Sequence, residues 1–409
     1  MGQTLSEPVV DKHSSLGGDK RYLYGASAMQ GWRISMEDAH STLLQLGPEG
    51  ESAFFAVYDG HGGQTAAKFA GAQLHEFIVK NSNYAKQEYE EAIKSGFLAA
   101  DANLRESPDM NNDSSGCTAV SVLLTKDGTV YCGNAGDSRC IISTKGRAIA
   151  LSHDHKPSDE TEFMRITSGG GFVEFGRVNG NLALSRAIGD FDFKNNPSLS
   201  PEKQVVTAYP DVVKHKISAD DEFIVVACDG IWDCMTNQQV AQFVHAKVVE
   251  GKKLDQICED MMDRCLASES ELGGVGCDNM TVIIVAILNG KTEDEWYAHI
   301  KSVAEENGLK SSPKIKKDQH EGSFEVSDLN SDSNGNGNDV VASEVLKHVL
   351  QQVSESSDKD EDADKADKKQ GDNASPSTIS PKETTAIDPL ADSPDPSIVD
   401  AVKKSESEN

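Results

Sequence analysis

Short apolar runs, rich in β-branched and aromatic residues, recur between positions 22 and 289 and are separated by Gly, Asp and Asn. Runs of this length and composition predict β-strands. The predicted strands cover residues 52–58, 119–124, 129–132, 140–143, 222–227 and 280–288. Lys126-Asp127-Gly128 lies between two of them and predicts a hairpin turn. Because such connections are short, we expect antiparallel sheets rather than a parallel array with helical crossovers.

Four other segments show apolar residues at helical spacing, and they come in two pairs. The first pair consists of a segment after Gly63, with its apolar face from Ala66 to Ile78, and of residues 84–104. The second pair consists of residues 238–249 and 254–266. Each pair is long enough to cover one face of a sheet, since a helix of this kind buries one apolar stripe. The simplest layering is therefore a sheet sandwich flanked by helices.

Composition changes sharply along the chain and predicts its domain organisation. We expect an N-terminal segment at 1–21, a folded domain at 22–290 and an acidic, largely disordered tail at 291–409. Beyond Lys301, Ser, Asp, Glu, Asn and Lys dominate, and no aromatic residue follows Phe324. Such a segment cannot bury enough apolar surface to offset its chain entropy. Residues 340–353 are the exception, because their apolar spacing makes them a candidate short helix or partner-binding segment.

The chain is strongly acidic, with a formal net charge of -28. This field repels nucleic-acid phosphate and anionic lipid, so we expect no nucleic-acid partner, and divalent cations are the natural counter-charge. No export signal and no 18-residue apolar run is present, which predicts a cytoplasmic and nuclear protein.

The N-terminus carries one small targeting pattern. Gly2 after the initiator Met, with Ser6 downstream, matches the pattern for N-myristoylation. The competing interpretation is an unmodified terminus. A single acyl chain would give only weak, reversible membrane contact.

Acidic residues lie at the ends of the predicted strands. Asp59 and Asp229 each end an apolar run and precede a glycine, and Asp278 precedes the last run. Further acids lie in polar stretches between runs: Glu37, Asp38 and Asp137. One acid beside a glycine usually marks a turn. Several brought together would repel one another unless hard cations bound there, and oxygen ligands favour Mg²⁺ or Mn²⁺.

Two such cations suit the hydrolysis of phosphate esters, because they polarise phosphoryl oxygens and activate water at neutral pH. The nucleophile would then be a metal-bound water. The chain contains no Gly-x-Ser-x-Gly elbow and no Gly-x4-Gly-Lys-Ser/Thr loop. Its one Cys-x5-Arg spacing, Cys258 to Arg264, falls within the helical segment 254–266 and is not a phosphate loop. Arg33 can bind a phosphate dianion with two parallel hydrogen bonds, and His61 can protonate the leaving alkoxide.

Nine motifs together resemble the type 2C metal-dependent Ser/Thr protein phosphatases over nearly all of residues 22–288. They are Arg33-x3-Glu37-Asp38, Asp59-Gly60-His61-Gly62-Gly63, Ser115-Gly116-Cys117-Thr118, Gly136-Asp137-Ser138-Arg139, Asp154-His155-Lys156-Pro157, Arg177-Val178-Asn179-Gly180, residues 184–190, residues 229–233 and Asp278-Asn279-Met280. The opening MGQTLSEPV and the acidic tail are similar to those of fungal members. No motif residue is replaced, which indicates an active enzyme.

The resemblance implies an α+β fold, a four-layer α/β/β/α sandwich in which helix pairs flank two antiparallel sheets. It also implies two Mg²⁺ or Mn²⁺ ions per catalytic site. Asp59 would bridge the metals, the Gly60 carbonyl would bind one of them, and Asp229 and Asp278 would complete the other. Glu37 and Asp38 would act mostly through metal-bound water. Asp137, together with Asp229 and Asp233, would form a weaker third site.

Further roles follow from the same resemblance. Arg33 corresponds to the phosphate-binding arginine, His61 to the general acid, and Asn279 to a supporting neighbour of the metal ligand before it. Residues 168–190 resemble a flap that helps to choose substrates. The implied partners are phosphoserine and phosphothreonine proteins, kinases among them, acted on by a monomer that opposes kinase signalling.

Two other functions remain open at this point. A metal-dependent phosphodiesterase or nuclease would use the same cations, although the net charge disfavours a nucleic-acid substrate. A catalytically weak scaffold that binds phosphoproteins would keep the same fold.

Overall fold

The computed structural model describes residues 4–270 and 274–308. Its strands are β1 (Thr4–Gly18), β2 (Tyr22–Arg33), β3 (Ala39–Leu46), β4 (Ser52–Tyr58), β5 (Gly60–His61), β6 (Gly116–Cys117), β7 (Ala119–Leu124), β8 (Thr129–Ala135), β9 (Arg139–Thr144), β10 (Arg147–Ala150), β11 (Val173–Glu174), β12 (Arg177–Val178), β13 (Ile188–Gly189), β14 (Asp211–Lys216), β15 (Asp221–Ala227) and β16 (Met280–Ile287). Its α-helices are α1 (Thr65–Lys80), α2 (Ser82–Ala85), α3 (Tyr89–Arg105), α4 (Glu160–Ser168), α5 (Asp229–Trp232), α6 (Asn237–Val249), α7 (Leu254–Cys265) and α8 (Glu293–Glu306).

Two antiparallel sheets form the centre of the described region. One has six strands in the order β1-β2-β16-β15-β9-β10, and the other has five in the order β14-β8-β7-β4-β3. Two small sheets, β13-β6-β5 and the hairpin β11-β12, lie outside this pair. The antiparallel pairing agrees with the short connections seen in the sequence.

Strand β4 shows how the sandwich is built, because all seven of its residues are buried. Successive side chains of a strand point to opposite faces. Phe55 and Val57 join a core formed by both large sheets, whereas Phe54 and Tyr58 join a second core formed with α1 and α3. A strand covered on both faces has no polar alternation, which explains the continuous apolar run.

A third core lies on the outer face of the six-stranded sheet, where α6, α7 and α8 pack. The three cores separate four layers, which confirms the predicted α/β/β/α sandwich. One predicted helix differs: residues 84–104 form α2 and α3 rather than a single helix. Gln87 between them has a φ of 62°, a left-handed conformation that interrupts the helix.

The fold begins earlier than the predicted boundary at residue 22. Strand β1 pairs with β2 along most of its length, and Lys12 Nζ donates to Asp263 on α7 over 2.7 Å. Many side chains of β1 are exposed, so backbone pairing rather than apolar burial holds it. An edge strand of this kind carries little hydrophobic pattern, and the sequence reasoning missed it for that reason.

The fold also continues beyond the predicted boundary at residue 290. Trp296 of α8 is fully buried, and its Nε1 donates to the Glu222 carbonyl over 2.9 Å. Thr292 and Glu295 form a capping box that starts the helix. The candidate helix at 340–353 and the rest of the predicted tail lie outside the described residues, as does Gly2. Among the described helices, none is long and apolar enough to cross a bilayer.

Candidate active site

The site forms where several strands of both large sheets end on the same side of the sandwich. Asp59 follows β4, Asp137 follows β8, Asp229 follows β15, and Asp278 precedes β16, which runs antiparallel to β15. Antiparallel neighbours place the end of one strand beside the start of the next. The two sheets thus bring residues separated by more than two hundred positions to one rim.

The aspartates at this rim are close enough to change one another's ionisation. Burial, followed by the negative charges of Asp229, Asp38 and Asp278, raises the pKa of Asp59 well above its usual value. Burial and the charges of Asp137 and Asp278 likewise raise the pKa of Asp229. Carboxylates arranged this way cannot all be ionised together without positive charge between them.

Asp38 supplies the clearest test of whether this donor set fits a metal. Burial raises the pKa of Asp38 to about 7, although the Thr281 hydroxyl donates to its Oδ2 over 2.7 Å. Its Oδ1 is buried and has no hydrogen-bond partner. A buried oxygen without a donor is unfavourable unless a ligand satisfies it. The oxygen donors therefore fit hard divalent cations.

Cys228 lies beside these carboxylates and was missed by the sequence reasoning. One ligand atom each from Asp38, Asp59 and Cys228 lie within 4.8 Å of one another. Burial raises the pKa of the Cys228 thiol well above its ordinary value, so the sulfur stays neutral. Thr281 donates its N–H to that sulfur over 3.1 Å. Cys228 therefore belongs to the packing under the acids rather than to an oxygen donor set.

Glu37 is held by three other parts of the site. Ser35 donates to its Oε1 over 2.8 Å, and the Gly63 N–H donates to its Oε2 over 3.2 Å. Its own N–H donates to Asn279 Oδ1 over 2.9 Å. Gly60 packs so closely on the Glu37 backbone that any larger side chain would clash. The chain segment that carries Arg33 and Glu37 therefore packs directly against the segment that carries Asp59 and Gly60.

Asp137 and Asp233 are both close enough to Asp229 to raise its pKa. Lys156 Nζ donates to Asp137 Oδ2 over 2.6 Å, so this carboxylate already has a cationic partner. Asp233 is exposed and lines the adjoining cleft. Its carboxyl is still partly desolvated by the walls of the cleft, which raises the pKa of Asp233; Lys156 opposes this shift and Asp137 adds to it.

Arg33 faces the same cleft. Its guanidinium donates to Asp278 Oδ2, which joins the predicted phosphate-binding arginine to a predicted metal ligand. The cleft has a volume of about 340 Å³ and is lined by both residues together with Asp233 and Arg177. It is large enough for a phosphorylated side chain and too small for a folded segment.

His61 lies in the three-stranded sheet that borders the acids, with Asp190 as its partner. His61 Nε2 and Asp190 Oδ2 are 2.8 Å apart. Burial alone would lower the pKa of His61, but the hydrogen bond and charge of Asp190 outweigh it and the pKa is raised. The sequence reasoning quoted Asp190 only within a motif and did not give it a role. In the sequence, only its position directly after Gly189 could have indicated a functional role for Asp190.

Asp190 is held in an uncommon conformation by buried contacts. Its φ is 50°, in the left-handed region that non-glycine residues rarely adopt. Asp101 on α3 accepts from the Gly189 N–H over 2.8 Å and from Lys194 Nζ over 2.7 Å. Lys194 also donates to the Ala187 carbonyl. This buried ion pair fixes the segment that carries Asp190.

The segment that resembles a flap, residues 168–190, contains the β11-β12 hairpin, and helix α4 directly precedes it. A buried ion pair links it to the sandwich, because Arg186 donates to Glu162 on α4 over 2.7 Å and to Asp211 at the start of β14 over 2.8 Å. Burial by itself would raise the pKa of Glu162, but Arg186 and Arg165 lower it to about 2. The pair thus holds a charged network at the base of the flap.

The structure therefore brings together all the residues predicted for metal binding and catalysis. Asp38, Asp59, Asp229 and Asp278 share one acidic cluster, and Glu37 and Gly60 lie against each other beside it. The others border the cluster or its cleft: Arg33, His61, Asp137 and Asp233. Their individual roles stay predictions.

Comparisons with known proteins agree with this arrangement. The family profile for Protein phosphatase 2C matches residues 22–272. Protein phosphatase 2C homolog 2 of Schizosaccharomyces pombe is 56% identical over 301 residues, covering 73% of this chain and 81% of the relative. Protein phosphatase 2C homolog 2 of Saccharomyces cerevisiae is 45% identical over 317 residues, covering 76% and 68%.

A solved structure is also similar. The crystal structure of a phosphatase from Toxoplasma gondii aligns with a TM-score of 0.60 and 27% identity, covering 69% of this chain and 97% of that one. Both the sequence match and the shared fold agree with the acidic rim described above. The chain belongs to the protein phosphatase 2C family and is a metal-dependent protein Ser/Thr phosphatase.

Proposed function

We propose that the acidic rim holds two Mg²⁺ or Mn²⁺ ions and hydrolyses phosphoserine and phosphothreonine monoesters of proteins. The observation that carries this proposal is the buried aspartate cluster, whose mutual repulsion raises the pKa values of Asp59 and Asp229. When bound, the cations would polarise the phosphoryl oxygens and supply activated water at neutral pH.

The residues that would hold these cations follow from their positions. Asp59 lies among Asp38, Asp229 and Asp278 and is the best placed to serve both ions. Asp38 offers an unpartnered buried oxygen, and the Gly60 carbonyl follows directly in the chain. Asp137 and Asp233 both neighbour Asp229 and would serve a weaker third ion, with Lys156 competing for Asp137.

Arg33 would bind the substrate phosphate. In the described structure its guanidinium lies on Asp278 at the wall of the cleft, so a phosphate entering there meets a fixed cation. A guanidinium can donate two parallel hydrogen bonds to one phosphate.

His61 would donate a proton to the leaving oxygen. Its Nε2 is occupied by Asp190, which leaves Nδ1 as the nitrogen available to the leaving group. Asp190 acts here as a positioning residue, because it contacts the ring and not the substrate. A proton at this point is needed most for an alkoxide leaving group, which is a strong base.

In the cell, this chemistry would remove phosphate from phosphoproteins, kinases among them, and would oppose kinase signalling. We propose that the protein acts as a monomer in the cytoplasm and nucleus, with weak membrane contact if Gly2 is myristoylated. Imaging and membrane fractionation of wild type and Gly2→Ala test this. Equal membrane fractions in the two proteins would contradict acylation.

The activity is tested by phosphate release from a phosphothreonine peptide with Mn²⁺ or Mg²⁺, before and after addition of EDTA. We expect activity only with the metal, and a loss of several hundredfold or more for Asp59→Asn, because one bridging ligand is removed. Asp220→Asn is the matched control, since Asp220 pairs with Lys145 at the surface beyond the other end of β15.

The outcomes distinguish the possibilities. Activity that survives EDTA would contradict the metal mechanism. A protein that binds the phosphopeptide tightly but releases no phosphate would instead favour the weak scaffold. Equal losses in Asp59→Asn and Asp220→Asn would indicate a general effect of charge removal.

A further inference from the structure

Large apolar side chains are exposed both on α4 and on the flap segment that follows it. Phe163 and Met164 on α4, and Phe172 and Phe175 beyond it, all have exposed side chains, and 95% of Phe175 is accessible to solvent. Helix α4 packs against β11, so the two halves of this segment are neighbours. Single exposed apolar residues are common, but a concentration of them marks an interaction surface.

Phe175 also has an unfavourable backbone conformation. It begins the two-residue turn of the β11-β12 hairpin, where Glu174 pairs with Arg177. Phe175 has a φ of 49° and Gly176 a φ of 71°, which are the signs found in a type I′ turn. This first position favours Asn, Asp or Gly, and an aromatic residue there is strained. Neither burial nor local geometry explains why a phenylalanine occupies the turn.

The hairpin is continuous with the proposed catalytic cleft. Arg177, two residues after Phe175, lines that cleft together with Arg33 and Asp278. Val275 lines it too and is exposed. Consecutive Cα atoms are about 3.8 Å apart, so Phe175 lies within about 8 Å of Arg177 along the chain.

The size of the cleft decides where a protein substrate must lie. About 340 Å³ accommodates one phosphorylated side chain, so the residues on either side of it must lie over the rim. The hairpin forms part of that rim. Within residues 4–270 and 274–308 the Arg177 guanidinium forms no ion pair and donates to the Asn181 carbonyl over 2.7 Å, so its charge at the cleft wall is not neutralised by a carboxylate.

We propose that Phe175 is a specificity-determining residue that binds a large apolar side chain next to the phosphorylated residue of a protein substrate. The inference rests on the proposed function, since it concerns the same cleft. The flap then contributes affinity for the polypeptide, whereas the acids and Arg33 bind the phosphate. A small aryl phosphate has no flanking residues and would not use Phe175.

The test compares wild type with Phe175→Asn on synthetic phosphothreonine peptides. The parent peptide has alanine around the phosphothreonine, and each related peptide carries one leucine at a different flanking position. For wild type we expect leucine at one or two positions to lower KM by about tenfold, the size of a typical aromatic anchor contact. Phe175→Asn should lose this preference while keeping its kcat and its activity on p-nitrophenyl phosphate.

Two further measurements keep the result interpretable. Asn suits the turn, so the variant should melt at or above the temperature of wild type, which excludes misfolding as the cause of a raised KM. Leu16→Ala is the matched control. Leu16 is also an exposed apolar residue, but it lies near the C-terminal end of β1, whereas Thr4 at the N-terminal end of that strand lines the cleft. It should leave the leucine preference unchanged.

The outcomes separate this inference from the function on which it rests. If wild type hydrolyses the peptides but shows no leucine preference, or shows the same preference as Phe175→Asn, the role of Phe175 is wrong and the phosphatase function stands. If wild type hydrolyses none of the peptides with metal present, both proposals fail. Binding to neutral phosphatidylcholine vesicles that depends on Phe175, without any effect on peptides, would assign the patch to membranes instead.

Discussion

Substituting Gly116 with alanine tests how His61 is positioned. Gly116 is buried in β6, between His61 on β5 and Gly189 on β13. A Cβ atom at this position would lie 2.6 Å from His61 Nε2 and would also overlap the Asp190 carboxylate. It would thus enter the space between the two hydrogen-bonded groups.

The size of the effect follows from these contacts. An ordinary van der Waals contact of 3.4 Å requires the His61 ring to move by about 0.8 Å. A displacement of this order can cost about 10²-fold in rate when a proton must be delivered in a defined direction. We expect kcat for a phosphoserine peptide to fall about 10²-fold with little change in KM. Added volume in a packed site should also cost about 1–3 kcal/mol of stability.

The assay compares two leaving groups, since general acid catalysis is needed less for a weakly basic one. For p-nitrophenyl phosphate the loss in kcat should therefore be much smaller than for phosphoserine. Gly133→Ala is the matched control, because its Cβ would lie 2.6 Å from Ile93 in the core, away from His61. If folded Gly116→Ala keeps its activity on phosphoserine, or if Gly133→Ala loses as much, the reasoning is refuted.

Three further predictions concern stability. The pKa of Glu162 is lowered to about 2 from an ordinary 4.5, which should contribute about 3 kcal/mol of stability above pH 4.5 that is lost as the pH falls toward 2. In urea unfolding, the free energies of unfolding of wild type and Glu162→Gln should converge at low pH. A difference that stays constant with pH would contradict this prediction. Because Trp296 is fully buried, Trp296→Ala should lower the free energy of unfolding by about 3–5 kcal/mol. A chain ending at residue 290 should likewise melt far below a chain ending at residue 308. Equal melting temperatures for the two chains would show that α8 is dispensable. Mn²⁺ at a hundredfold excess over its Kd should stabilise wild type by about 2–3 kcal/mol, and EDTA should reverse this gain. The Asp59→Asn variant should gain much less. An equal gain in both proteins would place the metal elsewhere.

The layered fold was accessible from the sequence because it depends on local patterns. Buried strands such as β4 are continuous apolar runs, and the helices that cover them have apolar residues at regular spacing. Strand β1 and helix α8 were missed at the boundaries. The first is held by backbone pairing, and the second begins after the last predicted strand and runs into the compositional change beyond Lys301.

The residue types available for catalysis could be read from the sequence alone: acids at strand ends, and an arginine and a histidine in ordered motifs. The folded structure was needed to show that Asp190 supports His61, that Cys228 lies neutral under the acids and that Asp38 has an unpartnered oxygen. It was also needed to show that a strained phenylalanine stands two residues before Arg177, which lines the cleft. Motifs record neighbours along the chain, whereas pKa shifts, buried pairs and cleft walls arise from residues that are distant in sequence and meet only when the sheets pack.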